Sequence, residues 1–141
     1  MIKYDIVLLC QEKYLNPKET TPYIKNVLLE DQLLTKALEA EGLKVGRTNW
    51  DNPDFDFTDT KAVLFRAIWD YFIRFPEFNK WLKKVQNQTQ LINPAEIIHW
   101  NIDKHYLLDL EKAGVNIVPT QYIHTGSEGD LVAHFKSCPW Q

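Results

Sequence analysis

The sequence predicts an open α/β sandwich of three layers, built on a mainly parallel sheet. Three observations carry that expectation. Ile6 to Leu9 (IVLL) and Ala62 to Ile68 (AVLFRAI) are apolar runs of the kind found in strands buried on both faces. Stretches with helical apolar spacing separate the strand-like runs, from about Val27 to Glu41 and again after Pro76. Glycines stand where helices should stop, Gly42 after the first of these stretches and Gly114 after a later one, Asp103 to Ala113. Strands alternating with helices of this length favour right-handed crossovers and a sheet covered on both sides.

In chain order, "YDIVLLCQE" supplies the first strand, and a polar, proline-containing loop follows it. From about Val27 to Glu41, Leu29, Leu33, Leu34, Ala37 and Leu38 recur at helical spacing, with Gly42 and Leu43 as the stop. Lys44 to Trp50 reads as a short strand weakened by Gly46, and "DNPDFDFTD" as a loop rich in turn residues. Ala62 to Ile68 is the clearest central strand after the first. Pro76 and Glu77 open a helix that buries Phe78, Trp81, Leu82 and Val85. Leu91 to Pro94 is a very short strand, and Ala95 to Trp100 a short helix. Asp103 to Ala113 forms another helix, with Tyr106, Leu107, Leu110 and Ala113 inward. "VNIVPT" gives a last strand. "SEGDLVAHF" then places an acid three residues after a serine, a pattern resembling a capping box at the start of one more helix.

A length of 141 residues suits one domain, 1–141, with a core able to fold unaided. The 45% hydrophobic and 25% charged content is that of an ordinary globular protein and argues against disorder. A net charge of -3 argues against a nucleic-acid partner, which calls for a basic patch or stripe. The "KWLKK" run, Lys80 to Lys84, is the wet face of a helix. No apolar run approaches the roughly 20 residues of a membrane span. The N-terminus lacks a small-residue cleavage site and carries Asp5, so it reads as a strand rather than a signal peptide. Cys10 and Cys138 match no ligand or disulfide framework, which points to structural cysteines in a reducing cytoplasm.

Both common phosphate loops are absent, and "HTGSEGD" lacks the following lysine, so it reads as a plain turn. No zincin helix or nucleophile elbow occurs. Glu96 and His99 have the Glu-x-x-His spacing of carboxylate-bridged metal sites, but the second pair such sites need is missing. Open parallel sheets bind ligands beyond the carboxyl ends of their strands, which directs attention to the loops after Leu9, Trp50 and Ile68. There "RAIWDY" places Arg66, Trp69, Asp70 and Tyr71 at a strand end, where charge and stacking suit an amino-acid or peptide-like substrate. In the alternative, Arg66 and Asp70 pair with each other while Trp69 and Tyr71 pack beneath the next helix. Lys104 falls in the expected first turn of a helix, an end that is already positive. Either it helps form a small anion site with the free amides, or it is an ordinary solvated lysine.

Taken together, "RAIWDY", "INPAEIIHWNIDKHYLLDLEKAGVNIVPT" and "YDIVLLCQE" resemble the amino-terminal, pre-ATP-grasp domain of ATP-grasp ligases of the glutathione-synthetase and RimK-like type, nearest the cycloserine-biosynthesis branch. The likeness runs from Asp5 to about Thr120 and implies a Rossmann-like fold. It also implies joining of a carboxylate to an amine through an acylphosphate made from ATP, with Mg2+ bridging the phosphates. By the resemblance, Lys104 matches the first of two ATP-phosphate lysines, and Arg66, Trp69, Asp70 and Tyr71 lie near the acceptor pocket. The second lysine, adenine hinge, magnesium carboxylates and glycine-rich lid of such enzymes follow the portion present here. Glu128 and Asp130 do not replace those carboxylates.

The resulting expectation is a substrate-binding amino-terminal domain of an ATP-dependent ligase, truncated and inactive alone, that binds neither ATP nor Mg2+ tightly by itself. Residues 115–141 would begin the connection to a missing or separate ATP-grasp domain. An alternative is a stand-alone, non-enzymatic α/β module that binds a small amino-acid-like ligand or a protein partner; homo-oligomer formation is left open. A flavodoxin-like nucleotide or redox module is permitted by topology but favoured by no motif.

Overall fold

Strand β1, Tyr4–Cys10, ends in four consecutive residues, Val7 to Cys10, that are all fully buried. A strand sealed on both faces must lie inside a sheet with cover above and below. The computed structural model describes residues 1–123, 126 and 131–138. They belong to two units, 1–99 and 100–141.

In the first unit, β1 is flanked by β2, Val45–Asn49, and β3, Thr60–Phe65, while β4, Gln90–Ile92, extends the far edge. All pairings are parallel, in the order β2-β1-β3-β4. Leu9 stands in register with Thr48 on one side and Phe65 on the other. This is the expected open, Rossmann-like α/β sandwich. β3 stops at Phe65 rather than Ile68, although Arg66 N still donates to Leu9 O at 3.1 Å and Gln11 N to Ala67 O at 2.8 Å. Those two bonds are the last rungs before both chains turn away.

Where a polar loop was expected, a short helix, α1, Glu12–Leu15, tucks Tyr14 against Cys10, Val27 and Ala67. Helix α2, Pro22–Ala40, starts well before Val27 because Thr21 caps it: its hydroxyl accepts from Ile24 N at 3.2 Å, and Pro22 takes the first position. Its inward face also differs from expectation. Val27 and Asp31 are buried and Ile24, Leu28 and Leu34 half-buried, whereas Leu29, Leu33 and Ala37 are exposed. Leu29 lies about 200° around the helix from Val27, so both cannot face the sheet. The helix ends as expected. Gly42, at φ 81°, donates to Glu39 O at 2.9 Å, and Leu43 N donates to Leu38 O at 3.2 Å.

Helix α3, Phe75–Val85, buries Phe78, Leu82 and Val85 as its spacing predicts. Phe78 and Trp81 meet Phe65 and Trp50, and Phe57, brought in by a 3-10 turn at Phe57–Asp59, packs on Trp81. Side chains alternate along strands, so α2 and α3 cover opposite faces. Leu9, Thr48 and Phe65 share the α3 face, while Cys10 meets Val27 and Arg47 meets Asp31 on the α2 face.

Helix α4, Ala95–Asn101, spans the division between the units. In the second unit, α5, Tyr106–Lys112, begins later than the expected Asp103. The Asp103 carboxylate accepts from His105 N at 2.9 Å and contacts the His105 ring at 2.5 Å, a local turn that competes with helix at 103–105. Tyr106, Leu107 and Leu110 are half-buried, but Ala113 is exposed at the C-cap. Gly114, at φ 80°, closes the helix, with Val115 N donating to Leu110 O at 3.0 Å. The expected strand "VNIVPT" is not formed: residues 115–120 join no ladder, and Pro119 has no amide to offer one. Helix α6 is Leu131–Ser137; its expected cap at Ser127, Glu128 and Asp130, most of the "HTGSEGD" turn and the Pro139–Gln141 end lie outside the described residues.

Gly46, expected only to weaken β2, has a steric role: a Cβ there would meet the Tyr4 ring at 2.9 Å. Gly46→Ala should therefore destabilise the first unit by about 1–3 kcal/mol, as overpacking does. Urea unfolding of the two proteins reads this directly, and equal midpoints would show that Tyr4 moves aside without cost.

Candidate functional site

The connection from β1 runs through α1 and α2 on one face of the sheet, and that from β3 runs through α3 on the other. The carboxyl ends of β1 and β3 are therefore where the connections diverge, the usual ligand position in such folds. A small cleft of about 70 Å3 lies there, lined by Val27, Glu30, Asp31, Arg66, Ala67 and Trp69. That is room for a small polar headgroup, well below the ~300 Å3 of a drug-sized pocket.

Arg66 leaves the end of β3 on the α2 face. Its Nε lies 3.5 Å from Asp31 Oδ1 and its Nη2 3.2 Å from Glu30 Oε2. Asp31 is buried, and its other oxygen accepts from Arg47 Nε at 2.8 Å. Arg47 also donates to the Leu15 carbonyl at 3.4 Å, while its Nη2 is buried without a partner among the described residues. Trp69 meets the buried Tyr14 edge-on at 5.5 Å and the exposed Tyr23 at 6.0 Å, and remains partly exposed itself. Glu30, Asp31, Arg47 and the two tyrosines escaped the sequence reading. A signal existed for Asp31: it stands four residues after Val27 on the inward stripe of α2, where an acid needs a buried cationic partner.

Asp70 and Tyr71 turn to the opposite face. Asp70 is buried, and accepts from Trp50 Nε1 at 3.0 Å and from Arg74 Nη1 at 3.3 Å. Arg74 also binds Asp51 at 2.6 Å and Glu77 at 2.5 Å, and stacks over the Trp50 ring at 4.8 Å. Tyr71 packs on Phe78 at 5.4 Å. The structure thus divides "RAIWDY": Arg66 and Trp69 line the cleft, while Asp70 and Tyr71 fasten the same loop to α3 and to Trp50, just beyond β2. The alternative pairing of Arg66 with Asp70 does not occur; each has other partners.

Lys104 belongs to the second unit. It stands in the turn before α5 rather than in the helix's first turn, with Nζ 5.5 Å from the centre of the Tyr106 ring and its carbonyl accepting from Tyr122 at 2.9 Å. No carboxylate pairs with it among the described residues.

Burial opposes ionisation of Asp51, but hydrogen bonds from Asn49 and Arg74 outweigh it and hold the carboxyl below its usual range. Glu77, then Asp51, raise Arg74 further above its ordinary value. Burial pushes the Cys10 thiol up to about 11, so it is protonated at neutral pH and offers no nucleophile at the end of β1. Among the described residues no group of three His, Cys, Asp or Glu side chains is placed to hold a metal ion, and no helix is long and apolar enough to cross a membrane.

The family model described as the D-cycloserine synthetase DcsG N-terminal domain matches residues 6–93. The chain belongs to that family. The cycloserine biosynthesis protein DcsG of Streptomyces lavendulae is 33% identical over 95 residues, covering 67% of this chain and 32% of that protein. The crystal structure of D-cycloserine synthetase DcsG superposes with a TM-score of 0.72 at 27% identity, covering 86% of this chain and 38% of the other. The chain thus spans about a third of the length of these relatives. The matched segment contains the whole cleft and stops before Lys104.

Because Asp51 is more acidic when folded, its contribution to stability is present above the unfolded value of about 3.9 and lost as pH falls through the folded one. Asp51→Asn should therefore destabilise the protein at pH 7, with the gap to wild type closing in acid below about pH 4. Denaturation midpoints over a pH series measure the gap, and one that stays constant would contradict the assignment.

Proposed function

We propose that the chain is the substrate-binding amino-terminal part of an ATP-dependent carboxylate–amine ligase of the ATP-grasp, glutathione-synthetase-like type. Membership of the DcsG amino-terminal family carries the reading, because the matched segment includes the cleft at the strand ends. In this role Arg66 receives the carboxylate of a small amino-acid or peptide-like substrate, with its planar fork suited to that group. Trp69, backed by Tyr14 and flanked by Tyr23, gives the rest of the substrate an aromatic wall. Asp70 and Tyr71 act as positioning residues that hold the loop carrying Trp69.

ATP with Mg2+, when bound by the complete enzyme, supplies the phosphoryl group that activates a carboxylate. From this chain Lys104 would meet a phosphate, and an exposed ammonium with no carboxylate partner among the described residues suits that contact. The remaining ATP-binding machinery is assigned to the part of the relatives that this chain does not span, an ATP-grasp domain. Residues 1–141 by themselves are therefore expected to be inactive and to bind ATP weakly. A cytoplasmic setting accords with two free thiols.

The test expresses the open reading frame that contains residues 1–141 and follows ADP release with ATP, Mg2+ and a panel of amino-acid and peptide substrates. ADP release should depend on substrate. Arg66→Ala should raise KM for the carboxylate substrate, and Lys104→Ala the KM for ATP, each by roughly tenfold or more, the worth of one charge-assisted contact. No substrate-dependent ADP release from that reading frame, or release by residues 1–141 alone, contradicts the proposal.

A further inference from the structure

Around the cleft, two guanidinium groups share one buried carboxylate. Asp31, its side chain 5% exposed, lies between Arg47 at 2.8 Å and Arg66 at 3.5 Å. One carboxylate neutralises one guanidinium, so the partly exposed Arg66 is open to a second anion. Glu30 supplies it from the rim through a 3.2 Å contact to Arg66, with its side chain 70% exposed. Such an exposed pair is screened by solvent, contributes little and opens readily. Arg66 Nη1 makes no hydrogen bond among the described residues, and the Arg66 side chain is 33% exposed, so the guanidinium is reachable from solvent. Val27 and Ala67 line the cleft as apolar surface, and the indole of Trp69 forms a wall.

We propose that Glu30 is a built-in stand-in for a ligand carboxylate: an α-amino acid zwitterion displaces it from Arg66, and the released Glu30 carboxylate then receives the ligand's ammonium group. The exchange keeps every charge paired. The ligand carboxylate replaces Glu30 on Arg66, and Glu30 exchanges one cation for another. It also sets selectivity. A simple carboxylate must evict Glu30 and leaves it without a partner, whereas an amino acid provides a new one. The side chain of the amino acid then lies toward Trp69 and Tyr23. This inference rests on the substrate-binding role proposed for the same cleft and adds the residue that gates it.

The test titrates the 141-residue chain with glycine, acetate and methylammonium, by calorimetry and by Trp fluorescence. Wild type should bind glycine about tenfold more tightly than acetate, with methylammonium weakest. In Glu30→Gln the competing carboxylate is gone, so acetate affinity should rise by about threefold or more while the advantage of glycine disappears. Arg66→Gln should abolish binding of both. Arg66→Lys, which keeps the charge next to Asp31, controls for folding and should bind more weakly than wild type.

Acetate affinity that is unchanged or lower in Glu30→Gln overturns the exchange, as does failure of either glycine or acetate to bind. These readings need no ATP, so they separate from the ligase proposal. Intact exchange without ligase activity refutes the catalytic role alone, and ligase activity with an unmoved acetate affinity refutes the exchange alone.

Discussion

Burial of β1 on both faces is the constraint on which the rest of the first unit depends. Val7, Leu8, Leu9 and Cys10 reach no solvent, so one helix layer must cover each side of the strand. The crossovers meet that demand by sending α2 to one face on the way to β2 and α3 to the other on the way to β4. The connections then part company beyond Cys10 and Phe65, and their divergence leaves the cleft. The position of the site follows from the burial of a strand that contributes no functional side chain to it.

The two faces beyond the strand ends are fastened by different chemistry. On the α3 side, Trp50, Phe57, Phe65, Phe78 and Trp81 interlock, mostly edge to face with Phe78 and Trp81 stacked, and the Asp51–Arg74–Asp70 bridge is tied into them through the Trp50 indole. Aromatic contacts and shared hydrogen bonds of this kind rigidify a loop. On the α2 side, the arginines outnumber the buried carboxylate, and the second anion comes from an exposed residue. One end of the 66–74 loop is anchored, and the other presents a guanidinium paired at the rim with an exposed carboxylate, the combination expected where a fixed scaffold holds a binding group.

The strands were legible because burial on both faces leaves an unbroken apolar run, as in IVLL. Helix α3 was legible because a single face of Phe78, Leu82 and Val85 meets the sheet. Helix α2 was misread because apolar residues populate both of its sides; the buried side is marked by Asp31, whose need for Arg47 is a tertiary fact. "VNIVPT" has strand-like composition, but composition does not supply a neighbouring strand, and β propensity expresses packing on a pleated surface. In "RAIWDY" the residue types were informative while their directions were not: the turns after Phe65 send Arg66 and Trp69 one way and Asp70 and Tyr71 the other. The placement of Lys104 depended on a turn made by Asp103 and His105, which competes locally with helix.

In the proposed role, ligands enter at the divergence of β1 and β3, on the Arg66 side. The most direct measurement is an amide chemical-shift map of the 15N-labelled chain titrated with glycine. Shifts concentrated at Gln11, Val27, Arg66, Ala67 and the Trp69 indole are the predicted result. Shifts centred on Asp51, Asp70 and Arg74, or no saturable shifts at all, would contradict it.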